Sequence, residues 1–160
     1  MTGFQKTVNL QPNIGVAGDL ATTNPVMSLP SPQGGFVAAT GGVTTARFAW
    51  VSGTTVSNAG SGKPDGFLMR QQGQALITQY LGETSNLILA GFPVDVIMRA
   101  DFYALVTVAN ATRGQKAFAS LTDGSLQPGN AGATISGYIE TDWYIMRDAV
   151  VGDLTVISKQ

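Results

Sequence analysis

Two carboxylates lie two residues apart in the chain, at Glu140 and Asp142. On a β-strand both side chains would point to one side, as a catalytic pair for glycoside hydrolysis requires. Asp95 and Asp101 flank Arg99 in a similar way. Carboxylates at alternate strand positions more often form a solvated face, and mixed charges more often form a surface ion pair. We therefore predict no catalytic acid or base at either place.

Residues 60–63 suggest a phosphate-binding loop, because glycine amides and a lysine hold phosphate in such loops. The pattern fails, since Ser57 replaces its first glycine and Pro64 stands where a hydroxyl would bind magnesium. A serine nucleophile at Ser52, Ser57 or Ser61 would lack a histidine partner, and the spacing does not recommend Ser–Lys chemistry.

The amino-acid composition further limits the reactions and the ligands that this chain could support. The 160 residues contain no His and no Cys, which removes the usual base at neutral pH, the thiol nucleophile, disulfides and the common zinc ligands. Nine basic and ten acidic residues give a net charge of −1, so no basic excess is available for nucleic acid or an anionic membrane. We predict no enzyme, no cofactor, no metal site, no nucleic-acid partner and no membrane partner.

Charged residues make up 12% of the chain, about half the usual share. Such a surface is poorly protected against self-association, unless Thr, Ser, Asn and Gln hydrate it. Trp50, Trp143 and Tyr144 could stack on a sugar ring, although aromatic residues in alternating patterns more often belong to a core or an interface.

From Phe36 onward, short apolar runs alternate with turn residues, which is typical of an all-β sandwich or barrel. We predict a surface loop over 56–66, a short helical turn over 75–81, and a tight hairpin turn at Asp123 and Gly124. Strands are predicted over 43–51, 66–71, 86–90, 94–99, 102–108, 114–121, 133–141, 143–147 and 153–158.

The first 35 residues contain four of the seven prolines and show no sustained strand or helix period. We predict an extended amino-terminal arm over 1–35 and a single β-sandwich domain over 36–160. The fully extended arm would span on the order of 115 Å, enough to reach a neighbouring subunit. The alternative is a segment that wraps around its own domain.

Many short segments, in order along nearly the whole chain, resemble the structural cement proteins of tailed-bacteriophage heads. They are residues 4–10, 17–19, 24–25, 45–50, 56–58, 66–67, 74–77, 91–94, 114–118, 123–124 and 132–141. The resemblance implies a jelly-roll-like antiparallel sandwich and a homo-oligomer, with a dimer favoured over a trimer. It also implies binding to the major capsid protein, without catalysis.

We therefore expect a capsid cement or decoration protein on the outer surface of the virion, present in the host cytoplasm during assembly. It would clamp neighbouring major capsid proteins and stabilise the expanded shell. A carbohydrate- or receptor-binding β module of a virion or tail is the alternative. The candidate partner-binding residues are Phe4, Lys6, Val8, Leu10, Asp19, Trp50, Arg70 and Trp143.

Overall fold

The computed structural model describes residues 15–70 and 86–159, and the structural statements below refer to them. The predicted helical turn at 75–81 and residues 1–14 of the predicted arm lie outside this part. The described residues form thirteen short strands and no helix. The strands are β1 (Met27–Ser28), β2 (Val37–Ala38), β3 (Val43–Thr44), β4 (Phe48–Ser52), β5 (Thr55–Ser57), β6 (Gly66–Leu68), β7 (Leu87–Ile88), β8 (Val96–Arg99), β9 (Asp101–Leu105), β10 (Lys116–Ser120), β11 (Leu126–Gly129), β12 (Tyr138–Ile145) and β13 (Leu154–Ser158).

The strands form a six-stranded sheet, a five-stranded sheet and a two-stranded ribbon. The six-stranded order is β1-β8-β6-β4-β5-β2, the five-stranded order is β11-β10-β12-β13-β9, and β3 pairs with β7. All these pairs are antiparallel except β2 with β5. The predicted all-β sandwich is confirmed.

An aromatic cluster fills the space between the two large sheets. Phe48 and Phe67 come from the six-stranded sheet, and Phe102 and Trp143 come from the five-stranded sheet. Neighbouring ring centroids in this cluster lie 5.0–6.3 Å apart, within the range of favourable aromatic pairs. The two sheets are therefore held together by burial of large apolar side chains.

A second core lies on the opposite face of the six-stranded sheet. Because side chains alternate along a strand, Ala49, Leu68 and Val96 point away from the aromatic cluster and pack in this second core. From β2, backbone hydrogen bonds lead back to residues 91–94, which run directly into β8. The six-stranded sheet thus closes on itself like a small barrel, and its central strand β6 is buried on both faces.

Several strand boundaries differ from the prediction. The predicted strand 43–51 is interrupted at Ala46, whose φ of 59° is left-handed, so that β3 and β4 join different sheets. Thr55–Ser57 forms a strand that includes the first two residues of the predicted loop, because Val56 is fully buried in the second core. The strands predicted over 133–141 and 143–147 are one strand, β12, which begins only at Tyr138.

The predicted hairpin at residues 114–126 is confirmed. Strands β10 and β11 pair in antiparallel register, and Gly124 between them has a φ of 68°. A Cβ atom at Gly124 would lie 2.3 Å from the carbonyl oxygen of Phe48, so the turn also needs glycine for a close backbone approach.

Candidate functional site

Strand β12 sends alternate side chains to opposite sides of the five-stranded sheet. Thr141, Trp143 and Ile145 are buried on the inner side. Asp142 and Tyr144 are exposed on the outer side. The outer side of β12 is therefore open to a partner, whereas the inner side belongs to the core.

The antiparallel register gathers apolar and aromatic side chains on that outer side. Val156 lies opposite Tyr103, and Leu154 lies opposite Leu105. The N–H of Met146 donates to the carbonyl of Val156, so β12 and β13 continue side by side at this position. We call the resulting set the outer stripe: Tyr103, Leu105, Tyr144, Met146, Leu154 and Val156.

Three members of the outer stripe are well exposed. Leu105 is 43% exposed, Tyr144 is 46% exposed and Met146 is 39% exposed. Burying apolar surface contributes about 25 cal/mol per Å², so a partner that covers these side chains would gain binding free energy. The outer stripe has the properties of a protein-binding surface.

Charged groups border the outer stripe at Asp142. Lys63 Nζ lies 2.8 Å from one carboxylate oxygen of Asp142, and Lys159 Nζ lies 3.9 Å from the other. The hydrogen bond from Lys63 and the positive charges of both lysines hold the pKa of Asp142 below its usual value. The same hydrogen bond and the charge of Asp142 raise the pKa of Lys63.

These contacts leave the carboxylate pair poorly suited to acid–base catalysis. A general acid needs a raised pKa, whereas that of Asp142 is lowered. The other carboxylate, Glu140, accepts a hydrogen bond of 2.6 Å from the N–H of Gly132. Both side chains therefore have structural partners on the outer side of the sheet.

The loop at residues 60–63 contacts Trp50 and Asp142. A Cβ atom at Gly60 would lie 2.3 Å from Cγ of Trp50, so glycine is needed for the backbone to cross the indole. The indole N–H of Trp50 donates to the carbonyl of Gly62 at 3.0 Å. The loop thereby covers the tryptophan and places Lys63 beside Asp142.

The aromatic side chains proposed for sugar stacking are occupied or buried. Trp50 is 7% exposed and Trp143 is 2% exposed, and both belong to the core between the sheets. The ammonium of Lys116 lies 3.6 Å from the ring centroid of Tyr144 and covers one face of that ring. The described residues therefore form no open platform from these three aromatic side chains.

Residues 15–29, here called the strap, pair with both large sheets on one side of the sandwich. The N–H of Gly18 donates to the carbonyl of Tyr103, and the N–H of Tyr103 donates to the carbonyl of Asp19. Further along the strap, β1 pairs with β8. The strap thus covers the edge of β9, which would otherwise expose unpaired backbone groups, and joins it to the other sheet.

Two predicted partner-binding residues meet where the strap begins. Arg70 Nη1 lies 3.6 Å from Oδ1 of Asp19, and the N–H of Arg70 donates to the carbonyl of Gly18. The structure therefore brings Asp19 and Arg70 together and gives them a role in holding the strap.

Asp101 anchors the middle of the strap. The hydroxyl of Thr22 and the amide of Asn24 each donate a hydrogen bond of 2.6 Å to Oδ2 of Asp101. Burial alone would raise the pKa of Asp101, but hydrogen bonding by Ser158, Thr22 and Asn24 favours the charged form and holds the pKa below its usual value. The strap is thus attached by polar contacts, while its apolar side chains Val16, Leu20, Val26 and Met27 remain exposed.

The remaining predicted residues divide into two groups. Trp50 and Trp143 are core residues and present little surface to a partner. Phe4, Lys6, Val8 and Leu10 lie outside the described residues. Within residues 15–70 and 86–159, no group of three or more acidic side chains is arranged to hold a metal ion. No helix in the same part of the chain is long and apolar enough to cross a membrane.

On β12, the sequence analysis selected a residue next to the outer stripe and not a member of it. It selected Trp143, whereas the exposed positions on β12 and just beyond it are Tyr144 and Met146. The acidic residues Glu140 and Asp142 at alternate positions were the available signal, since they predict a solvated side of the strand opposite Trp143. The contact of Asn24 with Asp101 had no such signal, since it spans 77 residues.

Comparisons with known proteins agree on one group. The family model described as XM1 gp53 minor capsid protein matches residues 4–159. A solved chain from the capsid of Myoviridae phage XM1 superposes with a TM-score of 0.67 at 16% identity, covering 97% of this chain and 96% of that chain. At that identity the superposition shows a shared fold. No curated protein matches the chain.

Proposed function

Because the chain belongs to the XM1 gp53 minor capsid protein family, we propose that it is a cement protein of a tailed-phage head. Membership of this family supports a structural role in a phage capsid and a location in the virion. In our proposal the protein binds the outer surface of the expanded shell and clamps neighbouring major capsid proteins. It acts without catalysis.

The outer stripe is the observation that supports this proposal. It presents Leu105, Tyr144 and Met146 on a rigid sheet whose inner side is fully packed. Of the charged groups beside it, Lys63 and Asp142 are paired with each other, and the ammonium of Lys116 lies over the ring of Tyr144, where a partner has to accommodate its charge. A preorganised apolar surface with paired charges at its border fits a stable protein–protein contact.

Multivalent binding strengthens the attachment of the protein in the proposed assembly. A single contact of a few kcal/mol suffices, because many copies bind a symmetric shell and each holds more than one neighbour. The low charge content of 12% fits a surface largely covered by other subunits. The protein is present in the host cytoplasm during assembly and self-associates there, with a dimer favoured over a trimer.

The amino-terminal residues supply the second contact of the clamp in this proposal. Residues 1–14 precede Gly15, whose backbone lies against the ring of Tyr103 at the edge of the outer stripe. Fourteen residues span at most about 50 Å, far enough to reach an adjacent subunit. Phe4, Val8 and Leu10 would act as apolar anchors, and Lys6 would pair with an acidic group.

Co-sedimentation with expanded, empty heads tests the proposal. The double variant Tyr144→Ser/Met146→Ser removes two exposed side chains of the outer stripe and should weaken binding about tenfold or more. Val150→Ser/Val151→Ser is the matched control, because these side chains are at least as exposed but lie in the turn between β12 and β13. Equal loss of binding in the two variants, or no loss in the first, would contradict the role of the outer stripe.

Deletion of residues 1–14 tests the second contact. The strap remains intact in this variant, so the domain should melt as the full chain does. We expect weaker binding to expanded heads. Unchanged affinity of the deletion variant would show that Phe4, Lys6, Val8 and Leu10 take no part.

A further inference from the structure

A cleft lies between the strap and the adjoining ends of the two large sheets. It has a volume of about 300 Å³ and is lined on the strap side by Asn24, Pro25 and Met27. Its other walls are formed by Arg99 at the end of β8, by residues 100–101, and by Lys159 just after β13. The cleft shares no lining residue with the outer stripe, and Lys159 in its wall lies 3.9 Å from Asp142 at the border of the stripe.

Two cations from different sheets line this cleft. Within the described residues Arg99 has no ion-pair partner. Lys159 is only 3.9 Å from Asp142, whose other carboxylate oxygen already holds Lys63 at 2.8 Å. Two incompletely paired cations beside one cavity favour an anion between them.

Asp101, the acidic residue in the cleft wall, does not form an ion pair with these cations. Oδ2 of Asp101 accepts the two short hydrogen bonds from Thr22 and Asn24, which hold the strap. Its negative charge still affects the choice of ligand: with Arg99 and Lys159 it leaves the cleft lining with a net charge of +1, which a monoanion neutralises and a dianion would exceed. The cleft therefore fits a singly charged carboxylate better than a phosphate group.

We propose that this cleft binds the carboxylate of an acidic side chain from a partner protein. Arg99 donates hydrogen bonds through its planar guanidinium, which matches the geometry of a carboxylate, and Lys159 adds a second positive charge. Met27, Pro25 and Ala100 supply apolar surface for the methylene groups of the incoming side chain. The inference adds a polar, specific contact to the apolar contact of the proposed function, but its direct test does not depend on capsid binding.

The direct test uses the full chain and a small probe. Acetyl-Ala-Glu-Ala-amide is titrated while the backbone amide signals of Met27 and Ala100 are followed by NMR, with acetyl-Ala-Gln-Ala-amide as the neutral counterpart. We expect saturable shifts at both amides with the Glu peptide and at least about tenfold weaker binding of the Gln peptide. Equal binding of the two peptides, or tighter binding of inorganic phosphate, would overturn the assignment.

Variants locate the binding to the two cations. Arg99→Gln/Lys159→Gln should lose the response to the Glu peptide, whereas Arg113→Gln, in a loop outside the cleft lining, should keep it. Unchanged melting temperatures show that the variants are folded. If the Glu peptide binds the double variant as it binds the parent chain, the cleft is not its site, whatever the result of the co-sedimentation experiment.

Discussion

Neutralising Asp101 should release the strap without unfolding the sandwich. In the variant Asp101→Asn, the charged acceptor of two hydrogen bonds of 2.6 Å is replaced by a neutral amide. A hydrogen bond to a charged group contributes about 1.5–3 kcal/mol and a neutral one about 0.5–1.5 kcal/mol. Weakening two such bonds should therefore destabilise strap docking by about 2 kcal/mol, which corresponds to a change of about 30-fold in the population of the open strap.

Amide hydrogen exchange measures this population directly. The N–H groups of Gly18 and Ala21 donate to carbonyls of β9 and exchange with solvent only when the strap opens. We expect both to exchange about 30-fold faster in Asp101→Asn, while the amide of Val94, which bonds to Phe36 in the second core, keeps its rate. The exposed acid Asp153 provides the matched control Asp153→Asn, which should leave all three rates unchanged.

Two results would refute the reasoning about Asp101. If Gly18 and Ala21 exchange less than about threefold faster in Asp101→Asn, the two hydrogen bonds do not hold the strap. If Val94 accelerates by the same factor as Gly18, the substitution destabilises the whole domain and the strap is not a separate unit.

Further predictions concern the register of β12 and the response to acid. Trp143→Ala should cost about 3–5 kcal/mol and lower the melting temperature by roughly 6–20 °C, because it empties a site in the aromatic core. Tyr144→Ala should lower the free energy of unfolding by no more than about 1 kcal/mol, because the ring is half exposed and the substitution removes mainly its contact with Lys116. A larger loss of stability in Tyr144→Ala than in Trp143→Ala would show that the core lies on the other side of β12. The pKa of Asp101 is below its usual value, so its stabilisation of the strap is complete above about pH 4 and is lost as the pH falls through the lower value of the folded state. The amide signals of Gly18 and Ala21 should therefore show an acid transition below about pH 4 that is absent in Asp101→Asn, and its persistence in that variant would assign it to another group.

The sequence predicted the fold class and most strand locations because they depend on local patterns. Apolar runs between turn residues marked the strands, and Asp123 with Gly124 marked the hairpin. The break at Ala46 was missed because alanine seldom takes a left-handed conformation, and only tertiary contacts hold it there. The burial of Val56 likewise depends on a second core whose residues come from distant strands.

The candidate functional surface was harder to predict than the fold. Asp19 and Arg70 were selected from the sequence, and the structure places them together at the strap. The outer stripe depends on strand register, and a shift of one residue exchanges buried Trp143 for exposed Tyr144. The attachment of the strap through Asp101 depends on pairing across 77 residues, which composition and spacing do not encode.

A cryo-electron microscopy reconstruction of expanded heads with the protein bound tests the central claim most directly. Our account predicts that the protein lies on the outer surface of the shell, with Tyr144 and Met146 of the outer stripe buried against major capsid protein and residues 1–14 extending to an adjacent subunit. A reconstruction in which the outer stripe faces solvent while another face contacts the shell, or in which the protein lies inside the shell, would contradict it.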